Sequence, residues 1–241
     1  MSIIDLSYAW EQVPEVLKGV PMTLTIAVIS MLFGFVFGLL IAFCRIYKVP
    51  ILNRLAVFYI SFIRGTPLIV QLYVFFYGIP ALIQIMNDHL GWNMEADQIS
   101  PLIYALIAYT LNTSAYQSEI LRSAINATSL GQMEAAYSVG MTTIQGIWRI
   151  ILPQAFVVAL PNLGNTFIGL IKATSLAFAV KVIEIMAISK IIANNNYRYL
   201  ELYLVASIIY WILCFVFERI FAWLENKMRT YEANMEVDSA H

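Results

Sequence analysis

The chain has 241 residues, of which 61% are hydrophobic and only 12% charged, with a net charge of −1 and a mean hydropathy of +0.75. A soluble domain carries about 25% charged residues, so this composition excludes a water-exposed globular protein and defines an integral membrane one. No basic block points to nucleic acid, and the lone loop histidine His89 and the distant cysteines Cys44 and Cys214 offer no ligand set for metal or redox chemistry.

Residues 1–20 read as an amphipathic interfacial segment (Leu6, Tyr8, Trp10, Val13, Val16, Leu17) interrupted by Pro14. With Asp5, Glu11 and Glu15 and no basic n-region, it does not read as a cleavable signal peptide. Thr23 to Phe43 carries no charge and spans about 31 Å as a helix, enough to cross the hydrocarbon core. Gly34 and Gly38 give that first span a small-xxx-small face suited to a close helix crossing. Arg45, Lys48 and Arg54 follow with no acid among them, whereas residues 85–100 carry Asp88, Glu95 and Asp97 and no Lys or Arg. The positive-inside rule therefore sets the first loop in the cytoplasm and the N-terminus outside.

A second span is expected from about Leu55 to Ile83, a third from Leu102 to Ile120 and a fourth from Pro153 to Ile171. A less regular stretch from Lys172 to Arg198 leads to a fifth span, Leu202 to Trp223, and Arg219, Lys227 and Arg229 keep the C-terminus inside. The last dozen residues are polar and are expected to be disordered. The expectation is one all-α integral membrane domain of five transmembrane helices over residues 21–225. A cytosolic loop at 122–152 and a polar cytosolic tail at 226–241 complete it.

That loop holds the one long polar-flecked segment, residues 129–153. Ser129 and Gln132 have capping-box spacing for a helix starting near Leu130. Gly140 falls where a left-handed residue would stop it, after about 10 residues or roughly 15 Å. Glu134 is expected in the first turn, where the helix dipole favours an anion. Ala135 and Ala136 keep the surface low enough for another backbone to approach. Thr142 or Thr143 is expected to cap a second short helix that Pro153 limits.

Arg64 is the sharpest oddity, about 15 Å into the second span, where a charge costs about 3 kcal/mol and needs a partner or a wet cavity. Gly65 and Pro67 loosen the helix after it, and Gln71 follows. Arg64 reads either as a ligand for a substrate carboxylate or as a structural ion pair with an acid such as Glu119 or Glu184. Lys172, Thr174 and Ser175 read either as ligands for a zwitterion or, for Lys172, as a snorkelling cation. Asn162 and Asn165 need partners if buried, and Pro161 with Gly164 suggests a bent or broken helix.

Glu134-Ala135-Ala136, three residues, Gly140, nine residues, Ile150, one residue and Leu152-Pro153 resemble the EAA loop of ATP-binding-cassette (ABC) importer permeases. In that family the helix docks in a groove of the ATPase subunit, which would make Gln132, Glu134, Ala135, Ala136 and Gly140 the coupling residues. Five blocks are similar, in order, to the polar amino-acid branch (histidine, glutamine, glutamate, arginine, cystine, opines). They are Arg64-Gly65-Thr66-Pro67-Leu68 with Gln71; Ala115-Tyr116 with Glu119; Gly131 to Ala136; Leu152 to Ala155; and Lys172 with Thr174-Ser175-Leu176.

The resemblance implies a type I (MetI-like) importer domain in a bacterial plasma (inner) membrane, surrounded by lipid. It would work with a second permease copy or paralogue, two ABC ATPase subunits carrying ATP and Mg, and an extracytoplasmic solute-binding protein. No cofactor is expected on this chain, which lacks the G-x-x-x-x-G-K-[ST] phosphate loop. The path residues so implied are Arg64, Gly65, Thr66, Gln71, Glu119, Asn165, Lys172, Thr174 and Ser175. The branch usually has an acid where this chain has Ala173, which weighs against arginine or lysine and favours L-cystine, then glutamine. The alternative is a stand-alone ion-coupled secondary transporter, a class that usually shows internal repeats and paired midplane charges. A membrane enzyme is a third reading, short of any nucleophile–base pair.

Overall fold

The computed structural model describes residues 4–91, 93–128 and 130–238, and these are helical almost throughout, with no strand among them. Helix α1 (Leu6–Leu17) starts where the Asp5 carboxylate accepts from the Tyr8 amide, and it runs on through Pro14. The expected interruption does not occur: α1 packs along α9 (Ile185–Asn196) and α10 (Tyr199–Asp238), and that burial outweighs one missing helical hydrogen bond. Helix α2 (Val20–Ile46) is the first span, one residue longer at its N-terminus than its proline Pro21. Its glycine face is used as expected. A Cβ on Gly38 would sit 3.1 Å from Gln117 Cβ and the Ser118 amide nitrogen, so the backbones of α2 and α5 (Pro101–Ala127) meet there.

The segment expected as the second span is two helices, not one. Helix α3 (Leu52–Gly65) ends at extended Thr66, and α4 (Leu68–Leu90) starts again after Pro67. Proline cannot donate to the carbonyl four residues back, here that of Ile63, and it biases Thr66 away from helix. The expected continuous helix from Leu55 to Ile83 is thus replaced by a hinge at Thr66-Pro67. Helix α5 (Pro101–Ala127), capped by Ser100, covers the expected third span. It lies at the centre of the molecule against α2, α3, α4 and α8, which accounts for its buried Thr113, Ser114, Gln117 and Ser118.

Helices α6 (Leu130–Ser138) and α7 (Thr143–Gly146) form the loop, and α8 (Leu152–Ala173) covers the segment expected as the fourth span. Pro153 does not stop the chain. It sits in the first turn of α8, and a π-helical turn at Ile147–Ile151 joins α7 to α8. Nor do Pro161 and Gly164 break α8, which is continuous through both.

The stretch before the expected fifth span is more regular than the sequence suggested, with a 3-10 segment (Thr174–Val180) and then α9 (Ile185–Asn196). Glu184 caps α9: its buried carboxylate accepts from the Met186 and Ala187 amides at 2.9 and 2.8 Å, and from the Tyr210 hydroxyl. Burial, only partly offset by these donors, holds that carboxyl above the usual range. Helix α10 (Tyr199–Asp238) runs well past Trp223, so helix continues through most of the tail expected to be disordered.

Among the described residues, four helical stretches are long and apolar enough to cross a membrane: Val20–Ile46, Leu68–Leu90, Thr143–Val180 and Tyr199–Met228. Helix α5 has the length, about 40 Å, but its apolar character is diluted by the polar groups it turns toward its neighbours.

Candidate functional site

The candidate residues lie at the α3–α4 break, on α5, along α8 and in the α6–α7 loop.

At the break, Gln71 takes over what Pro67 leaves undone. Its side-chain amide donates to the Ile63 carbonyl at 2.9 Å, to the Thr66 carbonyl at 3.2 Å and to Thr66 Oγ1 at 2.8 Å. Its Oε1 accepts from Asn112 Nδ2 of α5 at 3.0 Å. Gln71 is only 4% exposed, so its bonding capacity goes to fixing the break and little is left for a solute. Replacing it by leucine strips partners from a buried carbonyl and from Asn112, at about 1–3 kcal/mol. Gln71→Leu is expected to lower the melting temperature of the detergent-solubilised protein by ~4–8 °C; an unchanged melting curve would show that the brace carries no energy.

Arg64 lies in the last turn of α3, where a cation suits the helix dipole, with Gly65 beside it. Both are exposed. The guanidinium stands over the Tyr116 ring, 5.3 Å from its centroid. Neither acid considered as its ion-pair partner is available. Glu119 joins Arg45 of α2 through one oxygen and Arg122 through the other, at 2.9 Å for Arg122, while Glu184 is buried at the α9 cap. Among the described residues no carboxylate pairs with Arg64. Glu119 is thus a tie between α2 and α5, close to the α6–α7 loop that follows α5.

Along α8, Asn162, Asn165, Gly169 and Lys172 are all exposed at spacings of three, four and three, which puts them on one face. A polar stripe on a spanning helix cannot favourably face hydrocarbon, so it belongs against a wet path or another subunit. The turn beyond it divides: Thr174 is fully buried and donates to the Ile171 carbonyl at 2.7 Å, whereas Ser175 is half-buried and donates to the Lys172 carbonyl. Tyr109 of α5 fixes this turn by donating to the Ala173 carbonyl at 2.7 Å.

In the loop, Gly140 has φ +80°, the left-handed region open to glycine. Its amide donates to the Tyr137 carbonyl and that of Met141 to Ala136, both at 3.0 Å, a Schellman C-cap. Thr142 and Gln145 form a reciprocal capping box for α7. The capping expected of Ser129 lies outside the described residues. Glu134 falls beyond the first turn of α6 rather than within it, so the dipole gives it little support. Gln132, Glu134 and Ala135 are exposed, but Ala136 is buried against α7, where Gly146 lies close to it and to Met133. Of the two alanines, only Ala135 is open to another chain. Tyr137, Val139, Ile144 and Trp148 add a large exposed apolar surface around it. Tyr137 also lies near enough to Tyr47, at the end of α2, to help raise that phenol, an effect led by burial.

Asn112, Arg45 and Tyr109 were not among the sequence candidates. The run Thr110-Leu111-Asn112-Thr113-Ser114 carried the available signal, since polar groups inside a span face protein or water.

Broken and polar-striped spanning helices, joined by a capped helical loop with exposed polar and apolar side chains, define a membrane transport subunit that another chain can grip. Residues 34–230 match the family described as binding-protein-dependent transport system inner membrane component, and the chain belongs to that family. It is 41% identical over 217 residues to the probable amino-acid permease protein YxeN of Bacillus subtilis, covering 90% of this chain and 92% of that one. It is 40% identical over 225 residues to the L-cystine transport system permease protein TcyL of the same organism, covering 93% and 92%. A solved amino acid ABC transporter with histidines superposes with a TM-score of 0.77 at 31% identity, over 93% of this chain and 99% of that one. The fold is that of the MetI-like ABC permeases, and the chain is a multi-pass, non-enzymatic membrane subunit whose ATPase is a separate partner.

Proposed function

We propose that this chain forms the translocation path of an ATP-driven amino-acid importer in a bacterial plasma membrane. In this reading five spans cross the bilayer, α2, the α3–α4 pair, α5, α8 and α10, with the N-terminus outside and the C-terminus inside. Two permease chains, identical or paralogous, face each other across the path. A solute-binding protein delivers the amino acid outside, and two ATPase subunits bearing ATP and Mg close on α6 from the cytosol.

The observation that carries the reading is the polar face of α8, Asn162 to Lys172, on a helix whose composition otherwise suits lipid. With Arg64 unpaired by any described carboxylate, this gives a path with cations for a carboxylate and amides for polar groups. Arg64, Gly65, Asn165, Lys172 and Ser175 are the exposed or half-exposed members; Thr66, Gln71, Glu119 and Thr174 set their geometry. Coupling runs through Gln132, Glu134, Ala135 and the Gly140 cap.

L-cystine is the first substrate choice and glutamine the second. The relative that transports L-cystine supports the first, although a permease of unspecified amino acid is equally similar. The test is uptake into proteoliposomes holding this chain with its ATPase and binding protein. ATP-dependent cystine accumulation that glutamine competes poorly is expected. Accumulation driven by an ion gradient with this chain alone would replace the reading with the secondary transporter.

A further inference from the structure

The turn between α2 and α3 has a geometry the transport reading leaves unused. Lys48 and Ile51 both hold positive φ, 49° and 66°, and neither is glycine. Together with Pro50, Asn53 and Arg54 they line an open cavity of about 350 Å³. Two of these lining residues are cationic and none is acidic; the sequence has no Asp or Glu from residue 16 to residue 87. Among the described residues no carboxylate pairs with Lys48 or Arg54, so the two form a basic pocket without a counter-ion. Arg45 nearby is paired with Glu119, which it shares with Arg122, and does not line the pocket.

An apolar track leaves this pocket along α3. Ile51, Leu55, Phe58 and Phe62 recur at spacings of four, three and four and so share one helix face. They are 74%, 58%, 70% and 55% exposed, whereas Ala56, Ile60 and Ile63 on the opposite side are buried. Phe58 and Phe62 stack with ring centroids 6.2 Å apart, making a smooth patch. The track covers about 16 Å, comparable to one leaflet of the hydrocarbon core.

The geometry points to a binding site for an anionic phospholipid, with the phosphate in the Lys48–Arg54 pocket and an acyl chain lying along Ile51, Leu55, Phe58 and Phe62. Charge complementarity selects the headgroup, and continuity between pocket and track selects an amphiphile over a soluble anion. The site is on the end of α2 that Glu119 ties to α5, so lipid here buttresses the element leading into the coupling loop.

The test is native mass spectrometry and thermal melting of the complete transporter, permease with its ATPase. The probes are dioleoylphosphatidylglycerol, dioleoylphosphatidylcholine and inorganic phosphate. Phosphatidylglycerol is expected to be retained and to raise the melting temperature, with the other two weaker. Lys48→Gln and Arg54→Gln are each expected to weaken phosphatidylglycerol binding roughly fivefold, with Lys48→Arg retaining it. Equal effects of phosphatidylcholine would overturn the headgroup assignment, and equal protection by phosphate would make this a soluble-anion site. Full retention by both glutamine variants would also sink it. So would a disulfide between two permease chains formed through Leu55→Cys, because a second subunit would then cover the track.

Discussion

Gly140→Val is expected to abolish ATPase activity coupled to transport while leaving the protein inserted in the membrane. The φ of +80° at this position is strained for any residue with a Cβ and most for a β-branched one. Restoring an allowed φ pulls Gly140 and Met141 away from the Tyr137 and Ala136 carbonyls and so re-aims α6 against α7. Among the described residues no neighbouring atom lies within 4 Å of a Cβ there, so the effect is conformational and not a clash with the spans. Glu134→Lys, an exposed charge reversal that leaves the cap untouched, is expected to give the same uncoupling by a different route. The measurement is ATP hydrolysis by the reconstituted complex with and without loaded binding protein, alongside membrane yield. Normal stimulated hydrolysis in both variants would mean that α6 does not meet the ATPase.

Arg64→Ala is expected to raise the solute concentration for half-maximal uptake by about 10- to 100-fold, corresponding to about 1.5–3 kcal/mol for a hydrogen bond to a charged group. Complex assembly should be normal, because the guanidinium rests on the Tyr116 face and pairs with no described carboxylate, so no buried charge is stranded. Arg64→Lys should recover only part of the affinity, since lysine lacks the planar fork that grips a carboxylate. Uptake assays and yield of assembled complex separate the outcomes. Unchanged half-saturation in Arg64→Ala would remove Arg64 from the path, and loss of the assembled complex would make it a structural residue.

Glu119→Ala contrasts with this, since it would leave two arginines without their shared carboxylate. Sequence reasoning offered Glu119 as an ion-pair partner for Arg64, and the family resemblance put both in the path. The structure separates them because α2 ends beside α5 and brings Arg45 to Glu119, a long-range contact that spacing along one helix cannot disclose. The same reason hid the brace at the break. Pro67 announces a freed carbonyl in the sequence, but its rescue depends on Gln71 and, through it, on Asn112 some 40 residues on. Pro14, Pro153 and Pro161 show the converse: the same residue type ends no helix where packing or a helix start absorbs its missing amide.

What residue order alone determined is what depends on composition or on a few adjacent bonds. Lipid solubility follows from 61% hydrophobic residues, the α6 stop from the steric freedom of Gly140, and the α7 start from Thr142 and Gln145. Only the tertiary structure decided which polar groups are spent inside the fold and which stay open. Gln71, Glu119 and Thr174 are consumed by partners on other helices or in their own turn, while Arg64, Asn165 and Lys172 keep exposed side chains. Satisfaction of a buried polar group is a property of the whole packed bundle, and no local pattern encodes it.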